Sequence, residues 1–281
     1  TYIATILAIL RAGHNPILVE PNINTYNIDP TKIEDSINEK TKGICVTHLF
    51  GKCCRMDEIC KIANQYDLKV IEDCAQAHGA KLKGQTAGSF GEAGCFSFYP
   101  TKNLGGFGDG GAITTNSEEL KNKLLHLRNY GSLKKYENKY IGLNSRLDEI
   151  QAALLRVKLK YLGDITAHKR KLAEIYFDNL PNWLKLPMQN KDELDVFHIY
   201  PVRHKRRDEL RSYLLKNGVK TEIHYPIPPH KQKAMEEILW GSWPIAEIHH
   251  KTELSLPISY GNTPEEIQKI CQILKNQQEF S

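Results

Sequence analysis

The sequence lacks a long uninterrupted run of apolar residues. Its apolar stretches are short and broken by charged side chains, whereas a membrane-spanning helix needs about 20 predominantly apolar residues in a row. No segment resembles a secretory signal peptide either. These two absences predict a protein that works without a membrane partner.

A strong excess of one charge is also missing. The chain has 38 lysines and arginines against 33 acidic residues, which gives a formal net charge of +5. The densest basic run, RHKRR at 203–207, is too short to form a nucleic-acid-binding surface. We interpret it as the solvated start of a helix and expect no nucleic-acid partner.

The chain has seven cysteines, but no two of them form a C-x-x-C pair. An odd number of cysteines, several of them inside apolar segments, predicts reduced thiols in a cytoplasmic protein. Cys53, Cys54 and Cys60 lie close together in the sequence, so a zinc site is an alternative, although ordinary core or surface thiols explain them more simply. We predict no metal site.

What the sequence does contain is an alternation of apolar strand patterns and helical patterns in its first half. This alternation is typical of an α/β fold with a mainly parallel sheet and helices on both faces. The pattern predicts helices at 2–12, 29–40, 56–67 and 117–131, and strands at 16–20, 43–51, 69–74, 94–99 and 110–115.

The pattern changes after residue 146. A long helical stretch at 146–180, interrupted at Gly163, is followed by a strand at 196–203, a helix at 207–218, a strand at 219–227 and a closing helix at 264–278. We expect two domains: a large one over residues 1–163 and a smaller α+β domain over residues 164–281.

Polar side chains follow two of the predicted strands. KVIEDCAQAHGA runs out into Asp73 and Gln76, and CFSFYPTKN runs out into Ser97, Tyr99 and Lys102. Each of these could simply be a polar strand end that meets water. Because ligands of open parallel sheets bind beyond the carboxyl ends of the strands, one shared site explains them jointly.

A carboxylate and a lysine in one site indicate a particular chemistry. A lysine surrounded by low-dielectric walls loses its proton more easily and becomes a nucleophile toward carbonyls. Pyridoxal phosphate is an aldehyde that such a lysine binds covalently, and an ionised aspartate keeps its pyridine nitrogen protonated. The glycine-rich segment GGFGDGG at 105–111 would let the backbone approach such a cofactor closely. As a dinucleotide-binding motif, which would indicate an oxidoreductase, this segment has the wrong flanking elements.

The segments VIEDCAQAHGA, CFSFYPTKNLGGFGDGGAITTN, TYIAT, GLNSRLDEIQAALL and HYPIPPH resemble blocks of the DegT/DnrJ/EryC1/StrS family of sugar aminotransferases. The resemblance covers essentially the whole chain. It implies a pyridoxal 5'-phosphate enzyme with an aspartate aminotransferase-like large domain, a three-layer fold around a mainly parallel sheet, and a smaller α+β C-terminal domain. Family members carry several tens of residues before TYIAT, so the resemblance also implies that the N-terminal part of the large domain is missing here.

The resemblance assigns roles to individual residues. Lys102 is implied to bind the aldehyde of the cofactor and to be catalytic. Asp73 is implied to pair with the pyridine nitrogen, Gln76 to lie near the phenolic oxygen, Ser97 to bind the phosphate and Tyr2 to stack on the ring.

Further residues are implied to act in a shared site. Asn144 is expected to reach the phosphate in the neighbouring subunit of a homodimer. The expected substrate contacts are Tyr99, His224, Tyr225 and His230.

The resemblance also implies a reaction. We expect transamination of a nucleotide-linked keto-deoxysugar with L-glutamate, which gives a dTDP-amino sugar for surface polysaccharide, such as the O-antigen of lipopolysaccharide, or for a glycoside. Tyr99, Asp109 and NSRLDE resemble relatives that aminate C3 of dTDP-3-oxo-6-deoxyhexoses, and not those that aminate C4. The alternatives are a 4-oxo sugar aminotransferase and a non-catalytic relative. Relatives that dehydrate the sugar carry histidine where this chain has Lys102.

Overall fold

The structure is a computed structural model that describes residues 2–277 together with 279 and 280. Its helices are α1 (Ile3–Arg11), α2 (Met56–Gln65), α3 (Glu118–Leu127), α4 (Glu149–Leu159), α5 (Leu162–Asn179), α6 (Arg207–Lys216), α7 (Pro244–Thr252) and α8 (Pro264–Lys275). Its strands are β1 (Gly43–Thr47), β2 (Lys69–Asp73), β3 (Lys81–Leu82), β4 (Gln85–Thr86), β5 (Ala93–Ser97), β6 (Gly111–Thr114), β7 (Glu193–Leu194), β8 (Tyr200–Arg203) and β9 (Glu253–Leu256). Over these residues, no helix is both long enough and apolar enough to cross a bilayer.

The central sheet has the strand order β1-β2-β5-β6. β2 runs parallel to both β1 and β5, while β6 closes the edge in the antiparallel direction. The register places Thr47 and Cys95 on either side of Asp73, so three strands end at the same edge of the sheet. This arrangement confirms the prediction of an α/β fold with a mainly parallel sheet.

The first hydrophobic core lies against this sheet. Val46 of β1 and Val70 of β2 are buried together with one face of α2, which presents Met56, Ile59 and Ala63 to the sheet. The acidic residues of α2 occupy its first turn, where they favour the positive end of the helix dipole. α2 thereby provides the crossover that makes β1 and β2 parallel.

The second hydrophobic core is built by later residues. β8 pairs antiparallel with β9, and their apolar side chains are buried against α5, α6 and α8. β7 lies beyond residue 163, the predicted end of the large domain, yet it pairs with β3 of the earlier part of the chain. The strand pairing therefore crosses the predicted domain boundary.

Glu72 organises the side of the sheet that faces the first core. Its buried carboxylate accepts hydrogen bonds from the backbone N–H groups of Gly88 (2.7 Å), Phe90 (2.8 Å) and Gly91 (2.8 Å) and contacts His48 Nε2 at 2.9 Å. Burial alone would raise the pKa of Glu72, but these bonds outweigh it and lower the pKa below the ordinary value. His48, Glu72 and Cys74 lie close enough to surround a metal ion, yet the oxygens of Glu72 are already engaged in holding the 88–91 turn.

Several predicted elements differ from the structure. The predicted helix at 29–40 is a pair of short 3-10 turns, Pro30–Lys32 and Glu34–Ser36, and the Asp29 side chain caps the first of them at Thr31 N. The predicted strand at 16–20 is not formed, and only the isolated bridge Pro21–Ile28 follows it; the predicted strand at 219–227 forms only the isolated bridge Glu222–Ser255.

The second half also departs from the sequence-based expectations. The long helical stretch breaks at Lys160 and Tyr161, and Gly163 lies inside α5. α7 was not predicted, and its two histidines are buried: His249 lies 4.5 Å from Tyr26 between ring centroids, and the His250 ring contacts the backbone oxygen of Tyr225.

We expect Glu72→Gln to lower the free energy of unfolding by about 3 kcal/mol, because the amide would turn an N–H donor toward backbone N–H donors in a buried place. Urea denaturation measures the change. Glu92→Gln is the matched control, since Glu92 is exposed and only faces Lys69 at 3.3 Å, and it should change stability by less than about 0.5 kcal/mol. Equal stability of the two variants would contradict this view of Glu72.

Candidate active site

Asp73 lies at the carboxyl end of β2 and is fixed by two hydrogen bonds. Thr5 Oγ1, in the first turn of α1, donates to Asp73 Oδ2 at 2.5 Å. The backbone N–H of Ala75 donates to the other oxygen, Oδ1, at 3.0 Å. The carboxylate is only partly buried, so it is oriented by the fold and remains open to a further partner.

Gln76 connects three distant parts of the chain beside Asp73. Its oxygen accepts a hydrogen bond from Phe50 N at 2.6 Å, and its amide donates to the Tyr225 hydroxyl at 3.1 Å. The Tyr225 ring lies 5.3 Å from the ring of Tyr2 between centroids, and burial raises the pKa of the Tyr225 hydroxyl to about 12. The structure thus brings Tyr2, Gln76 and Tyr225 to the same place.

Lys102 follows β5 on a tightly folded loop. Its backbone N–H donates to Tyr99 O at 2.9 Å, and Gly106 N donates to Phe98 O at 2.8 Å. Burial lowers the pKa of the Lys102 amine, and the negative charge of Asp73 acts in the opposite direction. The amine therefore lies within electrostatic reach of Asp73 and is neutral at a lower pH than an exposed lysine.

Three imidazoles lie within electrostatic reach of the Lys102 amine: His78 is buried, and His198 and His224 are partly buried. Burial is the main cause that lowers the pKa values of His78, His198 and His224, and the charge of Lys102 lowers each of them further. The pKa of His78 falls to about 4, and neither of its ring nitrogens has a hydrogen-bond partner among the described residues. These rings are neutral near pH 7 and do not compete with Lys102 for a nearby anion.

His198 was not identified from the sequence. It lies between the short strands β7 and β8, in a segment that carries no motif. Only the packing of this segment against the first core brings its ring toward Lys102, so no local signal could have found it.

His224 is held by two residues of β9. Glu253 accepts a hydrogen bond from the His224 backbone N–H at 2.7 Å, and the His224 ring contacts Ser255 Oγ at 2.8 Å. Burial raises the pKa of Glu253 to about 8. This support was also missed by sequence analysis, because no strand was predicted over Glu253–Leu256.

The other predicted residues make no side-chain hydrogen bond to Asp73 or Lys102 among the described residues. Ser97 Oγ, at the end of β5, accepts a hydrogen bond from Tyr99 N at 3.3 Å, and Tyr99 is half-exposed. Asn144 lies on an exposed loop, where its side-chain oxygen accepts from Arg146 Nε at 3.0 Å. His230 contacts Glu247 at 3.0 Å instead of the cluster.

The glycine-rich segment packs closely against its own backbone and against neighbouring side chains. A Cβ on Gly105 would lie 2.3 Å from Pro100 O, and one on Gly110 would lie 2.8 Å from Leu147 Cδ1. The missing side chains therefore let the loop fold onto its own backbone and toward the start of α4. They shape the Lys102 loop, and no contact on the described residues shows them clearing space for a ligand.

A cavity of about 230 Å³ lies next to this cluster, between α1, the outer edge of β1 and α7. Thr5 and His224 line it together with many apolar side chains, and no lysine or arginine does. It therefore lacks the cationic side chains that usually hold a phosphate.

The residues around Lys102 fit a pyridoxal phosphate group. Asp73 offers a fixed carboxylate for a protonated ring nitrogen, Gln76 offers an amide, and the Lys102 amine can react with an aldehyde. The orphaned ring nitrogens of His78 indicate that a polar group is still to be accommodated beside them.

Comparisons with known proteins agree with this fit. Residues 1–275 match the model of the DegT/DnrJ/EryC1/StrS aminotransferase family. The chain is 54% identical over 273 residues to a dTDP-3-amino-3,6-dideoxy-alpha-D-galactopyranose transaminase from Aneurinibacillus thermoaerophilus, which covers 97% of this chain and 75% of that protein.

Two further matches, one to a sequence and one to a solved structure, come from Streptomyces venezuelae. A dTDP-3-amino-3,4,6-trideoxy-alpha-D-glucose transaminase is 43% identical over 262 residues, which is 92% of this chain and 69% of that protein. The crystal structure of DesV in complex with a ketimine intermediate superimposes with a TM-score of 0.95 at 40% identity, and covers 98% of this chain and 76% of that one.

The lowered pKa of Lys102 gives a test in cofactor-free protein. The acetylation rate of Lys102, followed by peptide mass, should reach its half-maximum below the pH of about 10.4 that is typical of lysine. Asp73→Asn should move this midpoint lower still, because the variant removes the carboxylate that favours the charged amine. Lys123, an exposed lysine of α3, is the internal reference in the same digests. A Lys102 midpoint at or above that of Lys123 would rule out a depressed pKa.

Proposed function

The chain belongs to the DegT/DnrJ/EryC1/StrS family of pyridoxal phosphate-dependent aminotransferases, and on this premise we propose that it aminates a dTDP-3-oxo-6-deoxyhexose with L-glutamate as the amino donor. The product is a dTDP-amino sugar for a surface polysaccharide or glycoside. The single observation that supports the catalytic part of this proposal is the partly buried Lys102 amine within electrostatic reach of the oriented Asp73 carboxylate, with its pKa lowered by burial.

When bound, pyridoxal phosphate supplies an aldehyde that takes up an amino group and a ring that withdraws electrons from the adjoining carbon. Asp73, oriented by Thr5 and Ala75, stabilises a proton on the ring nitrogen. The neutral Lys102 amine removes the α-proton of glutamate and later returns a proton to the amino sugar. A lysine can do both near neutral pH only if its pKa is depressed toward the working range.

We assign the remaining residues to binding. Gln76 positions the phenolic oxygen, Tyr2 covers the ring, and Ser97 contributes a hydroxyl to the phosphate. His224 and Tyr225, which the structure fixes through Glu253, Ser255 and Gln76, contact the sugar. Tyr99 and His230 are the outer substrate contacts.

The regiochemistry rests on the relatives. The two curated relatives at 54% and 43% identity are named as transaminases of 3-amino sugars linked to dTDP. Together with Tyr99 and Asp109, they favour C3 over C4 as the aminated carbon.

We propose a homodimer in which Asn144 reaches the phosphate of the partner's site. The Asn144 loop and the adjoining α4 expose several large apolar side chains: Tyr130, Leu133, Tyr136, Ile141, Leu143 and Ile150. An apolar surface of this kind is typical of protein–protein interfaces.

The seven free cysteines support a reducing compartment, the cytoplasm.

Lys102→Ala and Lys102→Arg should each lower the glutamate half-reaction by more than about 10³-fold, because both remove the proton-transferring amine. The assay measures 2-oxoglutarate formed from stoichiometric enzyme. Lys123→Ala, which changes an exposed lysine of α3, should retain the wild-type rate. Turnover by either Lys102 variant at the wild-type rate would remove Lys102 from the mechanism.

A panel of dTDP-3-oxo and dTDP-4-oxo-6-deoxyhexoses tests the substrate. We expect kcat/KM to be at least about tenfold higher with the 3-oxo sugars, which corresponds to about 1.4 kcal/mol in the transition state. Mass spectrometry identifies the amino sugar formed. A preference for the 4-oxo sugars would overturn the regiochemistry but not the reaction type.

A further inference from the structure

Lys169 is a buried lysine of α5 that has no acidic partner among the described residues. Its side chain is 4% exposed, and its Nζ donates to the side-chain oxygen of Asn103 at 2.8 Å and to His198 O at 3.3 Å. Burial alone lowers its pKa to about 7, and no carboxylate opposes this shift. Both the charged and the neutral amine can donate these bonds, so the contacts do not depend on one protonation state.

Asn103 is the residue that directly follows Lys102, and it is 5% exposed. It uses both ends of its amide: the oxygen accepts from Lys169, and the nitrogen donates to Val196 O at 3.0 Å. Lys169 and Asn103 are 66 residues apart in sequence, and neighbouring residues of α5 belong to the second core. One amide thus ties the Lys102 loop to two other segments.

A buried lysine with only neutral partners contributes little to the stability of the fold. Removing an amine from water costs several kcal/mol, which neutral acceptors only partly offset, and an apolar side chain of similar length would fill the same space at lower cost. Arg170, the next residue of α5, donates to Asp195 O at 3.2 Å, so the attachment of α5 to this segment does not depend on Lys169. The distinctive partner of Lys169 is the loop that carries Lys102.

We propose that Lys169 is a positioning residue, which acts through Asn103 to hold Lys102 at the orientation needed for proton transfer. The inference rests on the proposed function of Lys102. Small displacements of a reacting group cost large factors in rate, about 10²-fold for 1 Å. Gln151 and Lys158 hold the same loop further along, at Phe107 N and Gly105 O, but Asn103 is the anchor directly beside Lys102. The orientation of Lys102 is therefore sensitive to the loss of either partner of Asn103.

The test uses the cofactor-loaded enzyme and the variants Lys169→Met, Lys169→Arg, Asn103→Ala and the double variant Lys169→Met with Asn103→Ala. Lys169→Met should lower the single-turnover rate about 10- to 100-fold and change the visible circular dichroism of the bound cofactor, which reports its orientation. KM for the sugar should stay near the wild-type value. Lys169→Arg, which keeps a donor, should recover most of the rate.

The double variant should be no slower than either single one, because both changes break the same link. Lys171→Met is the matched control: Lys171 is an exposed residue of α5, and its loss should alter neither rate nor dichroism. A purely structural role would lower the thermal midpoint of Lys169→Met and leave the dichroism and the rate of the folded enzyme unchanged.

Three results would overturn the inference: wild-type rate and dichroism in Lys169→Met, multiplying effects in the double variant, or an unchanged Asn103→Ala. If Lys169→Met does not fold, Asn103→Ala alone tests the inference, because it removes the oxygen that accepts from Lys169 and leaves Lys169 in place. Borohydride reduction and peptide mapping of the wild-type enzyme show whether the cofactor is attached to Lys102. If it is attached to Lys102, a negative result in the variants contradicts only the role of Lys169. If it is not, the proposed function is wrong, and the inference about Lys169 is wrong with it.

Discussion

The parallel pairing of β2 with β1 and β5 is the constraint on which the site depends. Because side chains alternate along a strand, the consecutive residues Glu72 and Asp73 are directed to opposite sides. Glu72 is buried and fastens the turn before β5. Asp73 ends the strand and meets Thr5 of α1. One strand therefore orders the segment that leads to Lys102 and also orients the carboxylate that Lys102 faces.

The electrostatics of the site follow from this arrangement. Burial disfavours the charged form of Lys102, and Asp73 favours it. Because the two effects oppose each other, the amine can lose its proton, and its charged form is still stabilised by a nearby carboxylate. The neighbouring imidazoles of His78 and His198 are kept neutral mainly by their own burial, so they add no charge that would upset the balance.

Much of this could be predicted from the sequence, because it depends on local patterns. The strands that hold Asp73 and Lys102 are short apolar runs followed by polar residues, and such runs place their ends at one edge of a parallel sheet. The resemblance of these runs to a known family added the roles. The extent of elements was less predictable: Asp29, Pro30 and the spacing of Ile33 and Ile37 together predict a helix, but the segment forms only two 3-10 turns.

The residues that support the site could not be predicted, because their burial arises from contacts between distant segments. No motif in the sequence around Lys169, His198 or Glu253 marks them as part of a site. Each of them supports the site only through contacts with segments that are distant in sequence. His249 and His250 show the same effect: both rings are buried, and no pattern in the surrounding sequence indicates this. The glycines at 105–111 were recognised as special, and the structure adds that the loop packs closely against its own backbone there.

The site is thus a product of long-range contacts and not of one motif. Thr5 reaches Asp73 across 68 residues, Tyr225 reaches Gln76 across 149, and Lys169 reaches Asn103 across 66. Two of these links, those made by Tyr225 and Lys169, come from the part of the chain that builds the second core. The motif around Lys102 supplies the reactive groups, but the second core supplies the surroundings that hold them. A chain with the motif intact and the second core unfolded would keep Lys102 and Asp73 in sequence and lose the contacts that orient the groups around them.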